Sequence, residues 1–325
     1  MVDQDAMREA LVEFENVGKR YGAVHALRDI TFDVRAGEVF GYIGPNGAGK
    51  TTTLRILVGL LRSFAGSVSI AGRKVGVLHQ QVHDLIGFLP QSVGFHEWRT
   101  AEAALFALGE LSGMTREAIS PELDRLLTRF SLNDSRHKKV KQLSGGMRQK
   151  LGFVQAMLHR PKLLVLDEPL SSLDPASRNV VKEVIREVRA EGTTVIFSSH
   201  ILSDVEDLAD RIGVVRKGSM VATGTLDELK RQFGAPMVVA VEFAAPPSDD
   251  SFLDNAEMFV GREQVGKTWR VQLRDGQGFD AGVHHIIEGT LAAGGRIRGI
   301  HPLDPDLDEL YVRYVDPHGE GHEDA

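Results

Sequence analysis

Between residues 11 and 234, short apolar runs alternate with stretches of helical spacing. "LLVLD" (163–167) and "TTVIFSS" (193–199) are brief and continuously apolar at their centres, as strands buried on both faces are. "ASRNVVKEVIREVRAEG" lies between them, with apolar positions three and four apart, and stops at Gly192. This alternation predicts a largely parallel sheet covered by helices, an α/β fold. From Ser92 to Lys141 the pattern is helical only, which predicts a small helical subdomain inserted at about 92–142. Within it, Ser120, Pro121 and Glu122 read as a helix start: a cap, a first-turn proline and an early acid.

The pattern changes again near Phe233, Gly234, Ala235 and Pro236. Beyond that break "MVVAVEF" and "TWRVQL" alternate like half-exposed strands. "FDAGVHHIIEGTLAAGG" then predicts a helix and "RIRGIHP" a strand. The expected organisation is an α/β domain over 11–234, a compact α+β domain over 235–316, and a frayed polar tail over 317–325. No internal repeat is visible.

Composition narrows the function classes. The net charge of −7 speaks against bulk attraction to nucleic acid or anionic lipid. The absence of cysteine excludes disulfides and thiolate metal sites. No apolar run is long enough to span a bilayer, and the acidic start "MVDQDAMREALVEFENV" lacks the features of a secretion signal. The expected location is therefore cytoplasmic.

The strongest chemical signal is "GPNGAGKTT", which contains Gly44, Pro45, Asn46, Gly47, Ala48, Gly49, Lys50, Thr51 and Thr52. It follows the strand-like "EVFGYI" and precedes the helical "TLRILVGLL", the context a phosphate-binding P-loop requires. Glycines let backbone amides close around phosphate oxygens, Lys50 neutralises their charge, and the Thr51 hydroxyl suits Mg²⁺. "KLLVLDEP" supplies Asp167, a carboxylate at a buried strand end that suits the same ion, and Glu168, the candidate general base. Taken alone, two such acids serve equally well as a cap for the next helix. His200 ends "TTVIFSSH" and Gln91 follows "IGFLP" at the junction of core and helical insert; a lone histidine at a strand end is usually structural, and a single glutamine there means little by itself.

A second stretch also suits an anion. In "KQLSGGMRQ", Ser144, Gly145 and Gly146 open the helical "MRQKLGFVQAMLHR", and a helix start presents unpaired N–H groups. One chain thus carries two phosphate-type sites far apart in sequence.

Together these pieces resemble the nucleotide-binding subunit of ATP-binding cassette (ABC) transporters. The resemblance covers residues 12 to about 232. It implies that Tyr21 stacks on adenine and that Gln91 helps hold Mg²⁺ and senses the membrane subunit. "LSGGM" matches the family signature, with Met147 in place of its usual glutamine, and "SSLD", ending at Asp174, matches the D-loop. His200 matches the switch histidine. The resemblance further implies ATP and Mg²⁺ as ligands and a head-to-tail pair of cassettes, here expected as a homodimer. In such a pair Ser144, Gly145, Gly146 and Asp174 contact the nucleotide of the other subunit.

The same resemblance implies a separate integral-membrane permease, and hence a peripheral position on the cytoplasmic face of the membrane. Phe95 and Trp98 are candidates either for contact with that permease or for the subdomain's own core. A cassette followed by a small α+β domain and "LDPDLDELYVRYV" is similar to the subunits of exporters with separately encoded six-helix permeases. There Pro305, Leu307, Asp308, Glu309, Leu310 and Tyr311 fit that group's terminal pattern loosely. The alternative is a soluble ABC ATPase acting on ribosomes or nucleic acid. The single cassette, the acidic charge and the lack of cysteine weigh against it, and no nucleic-acid partner is expected.

Overall fold

A computed structural model of the chain describes residues 9–76, 84–233, 238–266, 268–274 and 279–303. The expected exporter-like pattern from Pro305 to Tyr311, the tail over 317–325 and the break at Gly234, Ala235 and Pro236 lie outside the described residues. The chain divides into two units, one up to Leu226 and one from Asp227 onward.

The first unit holds two sheets. The strands β1 (Ala10–Tyr21), β2 (Val24–Arg35), β4 (Ala65–Ile70) and β5 (Arg73–Lys74) form an antiparallel sheet in the order β2-β1-β4-β5. A six-stranded sheet has the order β10-β9-β3-β8-β7-β6. Its members are β3 (Val39–Ile43), β6 (Ile86–Leu89), β7 (Leu163–Leu166), β8 (Thr194–Ser199), β9 (Arg211–Arg216) and β10 (Ser219–Gly224). All are parallel except β10, which is antiparallel to β9. Every residue of β3, β7 and β8 is buried, as their continuous apolar runs predict for strands covered on both faces.

Between the two sheets, the Phe32 ring stacks on Phe14 at 4.5 Å, on Phe40 at 5.3 Å and on Tyr42 at 5.5 Å. This aromatic layer backs β3. The first helix, α1 (Lys50–Leu57), seats Leu54, Ile56 and Leu57 in the same core. The Tyr42 hydroxyl lies 3.3 Å from Thr53 Oγ1, which ties the strand to the helix that follows it. The loop between them is therefore held from both ends.

The helical insertion contains α2 (Ala101–Leu111) and α3 (Arg116–Arg129), capped by the Thr100 and Thr115 hydroxyls. The helix start expected at Ser120 is therefore corrected: α3 begins five residues earlier, and Pro121 lies inside it. Thr115 is the stronger start because its hydroxyl accepts the Ala118 amide, whereas Pro121 merely withholds the amide that would have bonded Glu117.

The next helix, α4 (Gly145–Met157), packs unusually close to β6. A side chain at Gly87 would collide with the Ala156 carbonyl, and one at Gly152 would come within 2.6 Å of Leu89. The long amphipathic α5 (Pro175–Ala190) buries Val181, Val184, Ile185 and Val188. The short α6 (Leu202–Leu208) sets Val205 in the space that Gly41 of β3 leaves open.

At the division between units lies α7 (Leu226–Gln232). The second unit is an antiparallel sheet of β11 (Val238–Ala245), β12 (Phe259–Val265), β13 (Thr268–Leu273) and β14 (Arg296–Leu303), in the order β12-β13-β11-β14. Its helix α8 (Phe279–Ala292) places Ile286 among Val239, Val241, Val271 and Leu273. Alternation holds in β13, where Val271 and Leu273 are buried. It fails in β11, where Ala240 is buried beside its two valines. Ala240 pairs with Arg270 on one side and His301 on the other.

Candidate active site

The parallel strands β3, β7 and β8 end side by side, and the candidate residues sit on the loops just beyond those ends. Past β3, the segment from Gly44 to Gly49 wraps into the start of α1. Gly49 occupies the cap position at φ 110°, where a side chain would come within 2.6 Å of Leu27 and 2.9 Å of the Ala26 carbonyl. Gly47, at φ 78°, makes the preceding turn. Pro45 accepts the Ala48 amide at 3.1 Å, Ala48 is buried, and Asn46 and Gly47 face solvent.

Lys50 is only 6% exposed. Its Nζ donates to the Gly44 carbonyl at 2.6 Å and the Pro45 carbonyl at 3.2 Å, and pairs with Glu168 Oε1 at 3.4 Å. Burial lowers its pKa below the ordinary lysine value, and the neighbouring Glu168 and Asp167 carboxylates oppose that shift without cancelling it. The next residue, Thr51, donates its hydroxyl to Asp167 Oδ1 at 3.2 Å, and Thr52 is half-buried in the first turn of α1.

Asp167 and Glu168 follow β7. Asp167, 1% exposed, is one of the most deeply buried carboxylates described. Its Oδ1 accepts from Thr51 and, at 2.8 Å, from the Ser198 hydroxyl. Glu168, 7% exposed, adopts a left-handed backbone at φ 50°, which a side chain with a β-carbon rarely takes. Its Oε2 lies 2.8 Å from His200 Nδ1, a bond the imidazole donates and the carboxylate accepts. Lys50, Glu168 and His200 thus form a continuous chain of contacts, and Asp167 joins it through Thr51.

The structure therefore brings together Lys50, Thr51, Asp167, Glu168 and His200. Gln91 is exposed two residues past Leu89, which pairs with Leu166, and so lies at the same end of the sheet. Tyr21 is exposed at the end of β1, with Lys19 Nζ 5.0 Å over its ring.

The second anion-type stretch lies elsewhere in the order of elements. Ser144 caps α4, accepting the Met147 amide at 3.2 Å, and Ser144 and Gly145 are exposed. Their helix packs on β6, three strand spacings from β3 in the sheet, which amounts to roughly 14 Å at about 4.8 Å per spacing. Asp174 is exposed and caps α5 by accepting the Ser177 amide at 3.0 Å, a bond that lowers its pKa. Trp98 is 64% exposed, with Arg99 over its ring at 5.0 Å, while Phe95 is half-buried.

Ser198 escaped the reading of the sequence. A serine near the end of a fully buried strand must find a partner, and that rule was the available signal for Ser198, one place before the end of β8.

Residues 27–171 match the family model described as ABC transporter. The uncharacterized ABC transporter ATP-binding protein YhaQ of Bacillus subtilis is 33% identical over 307 residues, 94% of this chain and 98% of that protein. That likeness extends beyond the first unit into the second. The Nod factor export ATP-binding protein I of Burkholderia lata is 36% identical over 218 residues, 67% of this chain and 72% of that protein. A solved structure described as the ATP-binding subunit of an ABC transporter aligns with a TM-score of 0.65 at 32% identity, over 69% of this chain and 93% of that one.

Proposed function

This chain belongs to the ATP-binding proteins of ABC transporters, ATPases whose turnover drives transport, and on that premise we propose how its residues divide the work. The cassette spans 11–234 and the α+β domain 235–316. ATP binds with its phosphates in the loop from Gly44 to Thr52 and its adenine against Tyr21. Glu168 accepts the proton of the attacking water, and Lys50 and His200 stabilise the transferring phosphoryl group. The observation that carries this reading is the buried Glu168 carboxylate, held at 3.4 Å from Lys50 and 2.8 Å from His200.

Mg²⁺ fits the donor set: the Thr51 hydroxyl and Asp167 carboxylate are hard oxygens 3.2 Å apart, with Gln91 at the same sheet end. When bound there it offsets negative charge on the phosphates.

Glu168→Gln keeps shape and removes the base. Turnover should fall by about 10²–10⁴ while ATP still binds, measured by phosphate release and equilibrium binding in parallel. Hydrolysis at the parental rate would remove Glu168 from the mechanism.

Ser144, Gly145, Gly146 and Asp174 serve the nucleotide of a second subunit in a head-to-tail homodimer. The exposed start of α4, set apart from the P-loop strand, supports this arrangement. No helix among the described residues is long and apolar enough to cross a membrane, in keeping with a separate permease that holds the subunit at the cytoplasmic face. The exposed Trp98 is a candidate contact for that permease. The likeness to a protein named for Nod factor export supports export as the direction. Affinity isolation from detergent-solubilised membranes should recover a polytopic permease; recovery of ribosomes or nucleic acid instead would overturn the transport role.

A further inference from the structure

The geometry points to Ser198 as a positioning residue that locks Asp167 and Glu168 into their working arrangement through a single hydroxyl. The inference rests on the roles given above to those two carboxylates. Ser198 lies at 0% exposure on β8, beside β3 and β7. Its Oγ donates to Asp167 Oδ1 at 2.8 Å and accepts the Glu168 amide at 2.9 Å. A hydroxyl has one proton to give and lone pairs to receive, so both bonds form at once.

The two bonds do different things. The bond to Asp167 is made to the same oxygen that Thr51 addresses, so two hydroxyls converge on one carboxylate oxygen and restrain it. The bond from Glu168 satisfies a buried amide at a residue held in a left-handed conformation. Such a conformation persists only where its surroundings enforce it. The Glu168 carbonyl is bound as well, accepting the Ser171 hydroxyl at 3.0 Å. Glu168 is thus gripped at its amide by Ser198 and at its carbonyl by Ser171, and its side chain is left to reach Lys50 and His200. Without Ser198 the buried amide has no acceptor, and the turn that aims the carboxylate loses its nearest support.

The test compares three substitutions in the full-length protein. Ser198→Ala removes both bonds; Ser198→Cys keeps the side-chain shape but bonds weakly; Ser198→Thr keeps the hydroxyl. In Ser198→Ala and Ser198→Cys, kcat should fall by about 10²-fold, the scale of a misplaced catalytic group, with KM for ATP little changed. Ser198→Thr should recover most of the rate. Equilibrium ATP binding supplies a readout free of turnover. Without Mg²⁺ the affinity of Ser198→Ala should match the parent, while the Mg²⁺ concentration that half-maximally tightens binding should rise about tenfold, as expected when a ligand's hydrogen-bonding support is lost.

A parental kcat in Ser198→Ala or in Ser198→Cys overturns the proposal, since either would show that the bonds of the hydroxyl are dispensable. An unchanged Mg²⁺ dependence overturns the half that concerns Asp167. Glu168→Gln, assayed alongside, separates the two levels. If it is inactive while Ser198→Ala runs at the parental rate, only the positioning role fails. If Glu168→Gln is itself active, the role of Glu168 fails first.

Discussion

Two helix starts in the first unit suit an anion, and they are built oppositely. The start of α1 has glycine at its cap, no side-chain bond to its amides, and a buried lysine as its first residue. The start of α4 has a serine that already bonds one of its amides, two glycines after it, and exposure to solvent. A helix end at a wet surface favours an anion by only about 0.3–1 kcal/mol. That is too little to retain a nucleotide. At α1 the deficit is made up by Lys50 and by amides sheltered inside the loop. At α4 the first three positions, Gly145, Gly146 and Met147, carry no charge, and a side chain built at Gly145 would meet nothing within 4 Å. On the division of work proposed above, the first start holds a ligand by itself and the second completes a site whose remainder is brought to it.

This contrast breaks if Lys50→Ala leaves nucleotide affinity intact. A charge-assisted bond contributes about 1.5–3 kcal/mol, so binding of ATP to the isolated chain should weaken by roughly 10–100-fold in equilibrium titration. Ser144→Ala should have a smaller and different effect. ATP affinity of the separate subunit should stay at the parental value, while ATP-driven association in sedimentation and turnover drop by about tenfold, the scale of one lost hydrogen bond. Equal loss in both measurements would erase the distinction between the two starts.

The smallest expected effect concerns the other end of α4. Just past it, Arg160 donates to Glu122 of α3 at 3.0 and 2.7 Å, and Arg125 pairs with the same carboxylate. Burial pushes the Glu122 pKa up, but the bonds from Arg125 and Arg160 outweigh it and leave the value below the ordinary glutamate range. Such a group stabilises the fold fully above its unfolded pKa, and the contribution vanishes as pH falls through the folded one. Glu122→Gln should therefore lower the melting temperature at neutral pH and flatten its decline on acidification below the glutamate range. Arg125 is partly and Arg160 largely exposed, so the loss should be about 1 kcal/mol, read from melts across pH. An unaltered acid profile would show that α4 is not anchored there.

Much of the first unit was legible because its signals are local. Buried parallel strands write continuous apolar runs, and a P-loop must place its glycines, lysine and threonine within one short stretch. What escaped depends on neighbours far along the chain. Ser198 becomes meaningful only when β7 is known to lie beside β8. The burial of Ala240 breaks the alternation of β11 and has no signal in the local pattern. The start of α3 was misplaced because Ser120 and Pro121 imitate a cap that Thr115 supplies better. For Ser144 the sequence disclosed a helix start, but its exposure came only from the packed structure.

The left-handed turn at Glu168 also bears on how such a motor can change over generations. Glycine and asparagine adopt that backbone shape with least penalty, and codons for glutamate and glycine differ by one base. If Glu168 is the proton acceptor proposed above, a duplicated copy can therefore shed it in one mutational step while relaxing the peptide at that point. That step relieves backbone strain but also takes from the buried Lys50 its carboxylate partner, so the two effects oppose each other at this turn.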